Sequence, residues 1–142
     1  MTKIDQVMIR GKLEELKDYL EKLEEFRSLN IEKFSADHHN YALAEHYLQQ
    51  SLEVVLDISR RLVISLELKT PDDSHSLFPL LQKAGVLTEK FATRNSKLPG
   101  FRNRLVHLYE TIDHTKTYEY LQEHFDDLNE FIKQVSKFLL KQ

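Results

Sequence analysis

Within eight residues, Arg102-Asn103-Arg104-Leu105-Val106-His107-Leu108-Tyr109, the chain places an arginine, an asparagine, a histidine and a tyrosine. On a helical wheel with Arg102 at the origin, Phe101, Leu105, Leu108 and Ile112 fall between about 240° and 300° and form an apolar stripe. Tyr109, Arg102, Asn103 and His107 share an arc of about 160° away from that stripe, interrupted only by Val106. A helix that buries the stripe therefore presents the four polar residues together. Arginine makes forked, charge-assisted hydrogen bonds to phosphate oxygens. Histidine lends or takes a proton near neutral pH. The pair suits chemistry on a phosphate. By spacing alone, Arg-x4-His describes a solvated surface helix more often than a site.

The elements that must hold this stretch are helical. Only 3 Gly and 3 Pro interrupt 142 residues, and apolar residues recur at three and four. Ile9, Leu13, Leu16, Leu20 and Leu23 predict a helix from residue 2 to about 27. Residues 28 to 36 read as a connection, and Asp37 as the N-cap of a helix running to about Leu68. Between Leu48 and Leu66 the apolar residues spread around the whole circumference of that helix. It must be covered on several sides, as the centre of a bundle or of a dimer. Thr70-Pro71-Asp72-Asp73-Ser74 is a break. Short helices follow from near Ser76, closed by Gly85, and from Thr88 to near Ser96. Leu98-Pro99-Gly100 resets the chain before the polar arc. Residues 113 to 116 read as a turn, and the last helix as starting near Thr117.

Composition excludes several functions. With no Cys there are no disulfides, no thiol catalysis and no thiolate zinc site. No P-loop, dinucleotide fingerprint or Gly-x-Ser-x-Gly elbow is present. No apolar run is long enough to span a bilayer, and the start, Met1-Thr2-Lys3-Ile4-Asp5, lacks a signal-peptide core. The expected location is cytoplasmic. A net charge of -3 argues against a general nucleic-acid coat protein. Yet six basic residues (Lys83, Lys90, Arg94, Lys97, Arg102, Arg104) stand against Glu89 alone just before and within the polar stretch. From Glu110 to Glu130, seven acids stand against Lys116. His38, His39 and His46 lack a metal-ligand pattern and read as exposed polar residues, so no metal is expected. His75, His114 and His124 carry no partner pattern. Asp57, on the central helix, either pairs with an arginine near the cleft or lies on an exposed edge.

Placed after Leu98-Pro99-Gly100-Phe101, the polar stretch resembles the Arg-x4-His-x-Tyr signature of HEPN-domain ribonucleases of the HepT-like toxin branch. The likeness extends to Tyr41-Ala42-Leu43-Ala44-Glu45, to Leu56-Asp57-Ile58 and to Ala84-Gly85-Val86-Leu87, and covers most of the chain. It implies an all-α, antiparallel HEPN-like bundle, one domain over residues 1–142, that forms a homodimer. It implies a metal-independent endoribonuclease, without cofactor, acting on RNA as the toxin of a type II toxin–antitoxin pair. Arg102 and His107 would be catalytic, with Asn103 orienting the substrate or holding His107. The neutralising partner would be a minimal nucleotidyltransferase that transfers AMP to Tyr109. The alternative is a non-catalytic helical module that dimerises and binds a nucleotidyltransferase.

Overall fold

The computed structural model describes residues 1–107 and 113–142. Its elements in chain order are α1 (Lys3–Arg27), α2 (Ile31–Ala36), α3 (His38–Ser65), a single 3₁₀ turn (Ser74–Ser76), α4 (Leu77–Lys83), α5 (Glu89–Arg94), α6 (Leu98–Val106) and α7 (His114–Leu140). The described residues contain no strand. The expected all-α, antiparallel bundle is what the chain forms.

Local sequence sets most of the ends. Thr2 and Asp5 form a reciprocal capping box at the start of α1, with both hydrogen bonds 3.0 Å long. The Thr2 backbone N–H, and then its hydroxyl, hold the Asp5 carboxyl below its ordinary pKa. Asp37 caps α3 and Thr88 caps α5, as their side chains predict. Gly85 follows α4 at φ 79°, the left-handed conformation that glycine adopts without a Cβ clash. The end of α3 makes the same turn on Glu67, at φ 57°. The Leu68 N–H then bonds back to the Val63 carbonyl at 3.0 Å.

Three expectations shift. Residues 31–36 are a helix rather than a connection: Asn30 caps it, and Phe34 is its only buried side chain. A six-residue helix with one apolar anchor has no period to read. The last helix begins at His114 rather than near Thr117, because Asp113 accepts from the Thr115 N–H and caps it. The arc helix starts with Leu98 and contains Pro99 and Gly100 instead of following them. Pro99 lies in its first turn, where its missing N–H removes no intrahelical bond.

The core forms around α3. Leu48, Leu52, Leu56, Ile58 and Leu62 are fully buried, and α3 touches α1, α2, α4, α6 and α7. That coverage explains its apolar circumference. α1 runs antiparallel to it: Lys12 reaches Asp57 and Tyr19 reaches Tyr47, so partner numbers fall as those on α1 rise. The Tyr118 hydroxyl donates to the Leu29 carbonyl at 2.7 Å, and Arg27 meets Asp126 at 3.2 Å, joining the first half of α7 to the end of α1. Asp57 lies on the exposed edge of α3 and pairs there with Arg61 at 3.0 Å and Lys12 at 3.5 Å. No described helix is long and apolar enough to cross a membrane.

Candidate active site

α6 is short, and what anchors it decides what it shows. Leu98, Pro99 and Leu105 are buried. Phe101 is half-buried and stacks on Tyr120 of α7, with centroids 4.3 Å apart and rings 15° from parallel. This is the described part of the stripe, facing the core as its spacing requires. The other side of α6 carries Arg102, Asn103, Val106 and His107. Asn103, Val106 and His107 are exposed, and Arg102 is half-buried.

Arg102 is held from two directions. Its Nε donates to Asn103 Oδ1 at 2.9 Å. Its Nη1 lies 3.8 Å from Glu53 Oε1 on α3, and its side chain is 22% exposed. A guanidinium has five N–H donors. These contacts fix the fork while leaving donors on the Nη groups for a phosphate oxygen. Such a half-exposed pair adds under about 1 kcal/mol to stability. Its consequence is orientation.

Asn103 makes two contacts at this end of the helix. Its side-chain oxygen steadies the arginine, while its backbone carbonyl accepts the His107 N–H at 3.3 Å. His107 is the residue after the last helical one, at φ -99° and ψ 36°. The wheel had continued the helix through it. The structure instead places the histidine at the helix end, one turn beyond Asn103 and on the exposed side. Arg102, Asn103 and His107 are thus brought together on the last turns of α6. Tyr109 lies outside the described residues, as do Leu108 and Ile112 of the stripe.

A second polar cluster, absent from the sequence reading, ties α7 to the start of α3. Glu45 is only 2% exposed. Its Oε2 accepts from the Thr117 hydroxyl at 2.8 Å and lies 2.8 Å from His114 Nδ1. The His114 ring stacks on Tyr41 with centroids 3.7 Å apart. A buried carboxylate without partners would be costly; here it clamps the chain on the far side of residues 108–112. Its signal was available, since Glu45 lies three and seven residues before Leu48 and Leu52, on the buried stripe of α3. His124, likewise given no partner from the sequence, has Asp127 Oδ2 2.9 Å from its Nδ1. Among the described residues no group of three or more His, Cys, Asp or Glu is placed to hold a metal ion. His38, His39 and His46 are exposed.

The bundle is of the HEPN type. It superimposes on the tri-AMPylated Shewanella oneidensis HEPN toxin, solved in complex with an MNT antitoxin, with a TM-score of 0.81 at 23% identity over 96% of this chain and 99% of that one. The Bacillus subtilis cytosolic protein YutE, of unknown function, has the same fold, with a TM-score of 0.78 at 22% identity over 93% of this chain and 91% of that one. The tRNA nuclease HepT of Aphanizomenon flos-aquae is 25% identical over 140 residues, 99% of this chain and 95% of the relative. The mRNA nuclease HepT of Shewanella oneidensis is 28% identical over 85 residues, 60% of this chain and 64% of the relative. Residues 16–135 match the family described as Ribonuclease HepT-like. The chain belongs to the HepT-like ribonuclease family and is an RNA-cleaving enzyme.

Proposed function

We propose that this chain is a metal-independent endoribonuclease whose catalytic residues are Arg102 and His107. The observation that carries the reading is the clustering of half-buried Arg102 with exposed Asn103 and His107 at the end of α6, with the guanidinium oriented by Asn103 and Glu53. The 2′-hydroxyl of the RNA attacks its neighbouring phosphorus and gives its proton to a base. The bond from phosphorus to the 5′-oxygen breaks, and that oxygen takes a proton from an acid. The products are a 2′,3′-cyclic phosphate and a 5′-hydroxyl. His107 serves as base or acid. Arg102 offsets the charge that develops on the phosphate oxygens. Asn103 keeps the arginine in place. DNA lacks the attacking hydroxyl and is not a substrate.

One signature helix supplies one histidine, whereas the reaction uses both a base and an acid. A homodimer of two single-domain chains, each spanning residues 1–142, brings a second His107 to a shared cleft. Light scattering at micromolar concentration should give at least a dimer. An active monomer would contradict the shared cleft.

The cellular role is that of a cytoplasmic toxin held in check by a nucleotidyltransferase antitoxin, a reading supported by the Shewanella oneidensis toxin, which was solved in complex with an MNT antitoxin. The acceptor we propose is the Tyr109 hydroxyl: its oxygen attacks the α-phosphorus of ATP, AMP is transferred and pyrophosphate leaves. The added phosphodiester and adenosine would occupy the space meant for RNA beside Arg102. Expression of the chain alone should arrest growth, and co-expression of the partner should relieve the arrest while raising the mass in AMP-sized steps. Tyr109→Phe should block both the mass change and the relief. Modification that persists in the Phe variant would move the acceptor elsewhere. Normal growth with the wild-type chain expressed alone would remove the toxin role.

A further inference from the structure

The basic residues gathered before and within α6 have separate fates. Arg94 is committed to α7: its Nε donates to Asp127 at 2.8 Å and its Nη2 to the Glu123 carbonyl. Arg102 is oriented by Asn103 and Glu53 and serves the site already described. Among the described residues the side chains of Lys97 and Arg104 form no hydrogen bond or ion pair, and neither does that of Lys116 of α7; all three are exposed. Arg104 follows Arg102 by two residues and so points about 200° away around the helix. On that flank Lys97, Arg104 and Lys116 line an open cleft of about 590 Å³ between α6 and α7. In a chain of net charge -3, three cations without ion-pair partners among the described residues outnumber the two carboxylates of the lining, Glu119 and Glu123, and give the cleft a local positive excess.

The rest of the cleft is not a bare charged surface. The stacked rings of Phe101 and Tyr120 line it, giving a flat apolar face. The Tyr120 hydroxyl is buried without a hydrogen-bond partner among the described residues. Burial, and then the Asp127 carboxylate, push its pKa up, so it stays a neutral phenol. Gly100 forms part of the wall on α6. Glu119 and Glu123 line the α7 side with Lys116. Cations for a phosphodiester, a flat aromatic face for a base and carboxylates that accept from amino groups are the three elements of a nucleotide site.

We propose that the α6–α7 cleft is a second RNA subsite, holding a nucleotide next to the one being cut, with its phosphodiester among Lys97, Arg104 and Lys116 and its base against Phe101. This rests on the ribonuclease reading. The Arg102–His107 side and the cleft lie on two flanks of α6, so a strand that crosses this helix meets both. The cleft thus adds affinity and registers the substrate without touching the reacting atoms. An acidic protein surface is the competing occupant, and the test separates the two.

The test uses the full chain carrying His107→Ala, so that RNA is bound without being cut. Binding of a fluorescent single-stranded RNA of mixed sequence is followed by anisotropy over a range of salt. Each phosphate contact contributes about 0.7 to the slope of log K against log salt for a single strand. Lys97→Ala, Arg104→Ala and Lys116→Ala together should therefore flatten the slope by about 2 and weaken binding at least tenfold at physiological salt. A control that also removes three exposed cations, Lys83→Ala with Lys90→Ala and Lys133→Ala, should leave both unchanged. Circular dichroism melts of the two triple variants should coincide with that of the parent. If the wild type cuts RNA and the cleft variant binds with the parent's slope and affinity, the subsite is overturned while the ribonuclease reading stands. A cleft variant that keeps RNA binding but loses the antitoxin identifies a protein-docking surface and also overturns it. If the wild type neither cuts nor binds RNA, both readings fall.

Discussion

Replacing His107 with alanine is expected to lower RNA cleavage by roughly 10⁴-fold, the upper end of what a positioned acid or base contributes. The size of the effect follows from the dimer. If two copies of one histidine serve as base and acid, a single substitution removes both roles. Stability should hardly change. His107 is exposed and lies after the last helical residue of α6, outside the buried set that fixes the helix, and surface changes of this kind usually stay within about 0.5 kcal/mol. The check is a paired measurement, cleavage rate and thermal melt on the same preparation. A variant that melts like the wild type and still cuts at the wild-type rate would remove His107 from the mechanism.

Arg102→Lys should cost about 10²-fold, comparable to losing one donor from an oxyanion site, although the charge is retained. The reason lies in how the side chain is held. Nε is engaged by Asn103 and Nη1 faces Glu53, so the planar group is fixed before substrate arrives. A lysine ammonium has no Nε counterpart for Asn103 and no fork for two phosphate oxygens. It would remain drawn to Glu53 as a point charge. The loss should appear mainly in kcat, because the arginine acts on charge that grows in the transition state. Equal rates for Lys and Arg would reduce Arg102 to general electrostatic attraction.

Much of this was legible in the sequence because it is periodic. The three-and-four spacing of Ile9 to Leu23 marks the buried face of α1, and the apolar circumference of α3 announced its central place. Arg102, Asn103 and His107 could be placed on one side because Leu105 and Phe101 lie on the other. What was missed has no period. α2 is too short to repeat, and α7 begins three residues early on the strength of one aspartate cap. The end of the helix at His107 also escaped notice, since nothing between Arg102 and His107 breaks a wheel. The partners of the site were out of reach for a different reason. Glu53 meets Arg102 across two helices, and Glu45 meets His114 from 69 residues away. Such pairings exist only once the bundle has packed. Asn103 illustrates the limit: that its side-chain oxygen accepts from Arg102 depends on the rotamers of both, which spacing does not encode.

The central claim is that this chain cuts RNA through attack by the RNA's 2′-hydroxyl on the neighbouring phosphate, with no metal, at Arg102 and His107. The most direct measurement incubates the purified chain with a single-stranded RNA in excess EDTA, alongside the same sequence with every 2′-hydroxyl methylated, and identifies the product ends by mass spectrometry. The account predicts fragments with 2′,3′-cyclic phosphate and 5′-hydroxyl ends from the RNA, and no fragments from the methylated strand. Cleavage that stops in EDTA, or that leaves 5′-phosphate ends on either strand, would contradict it.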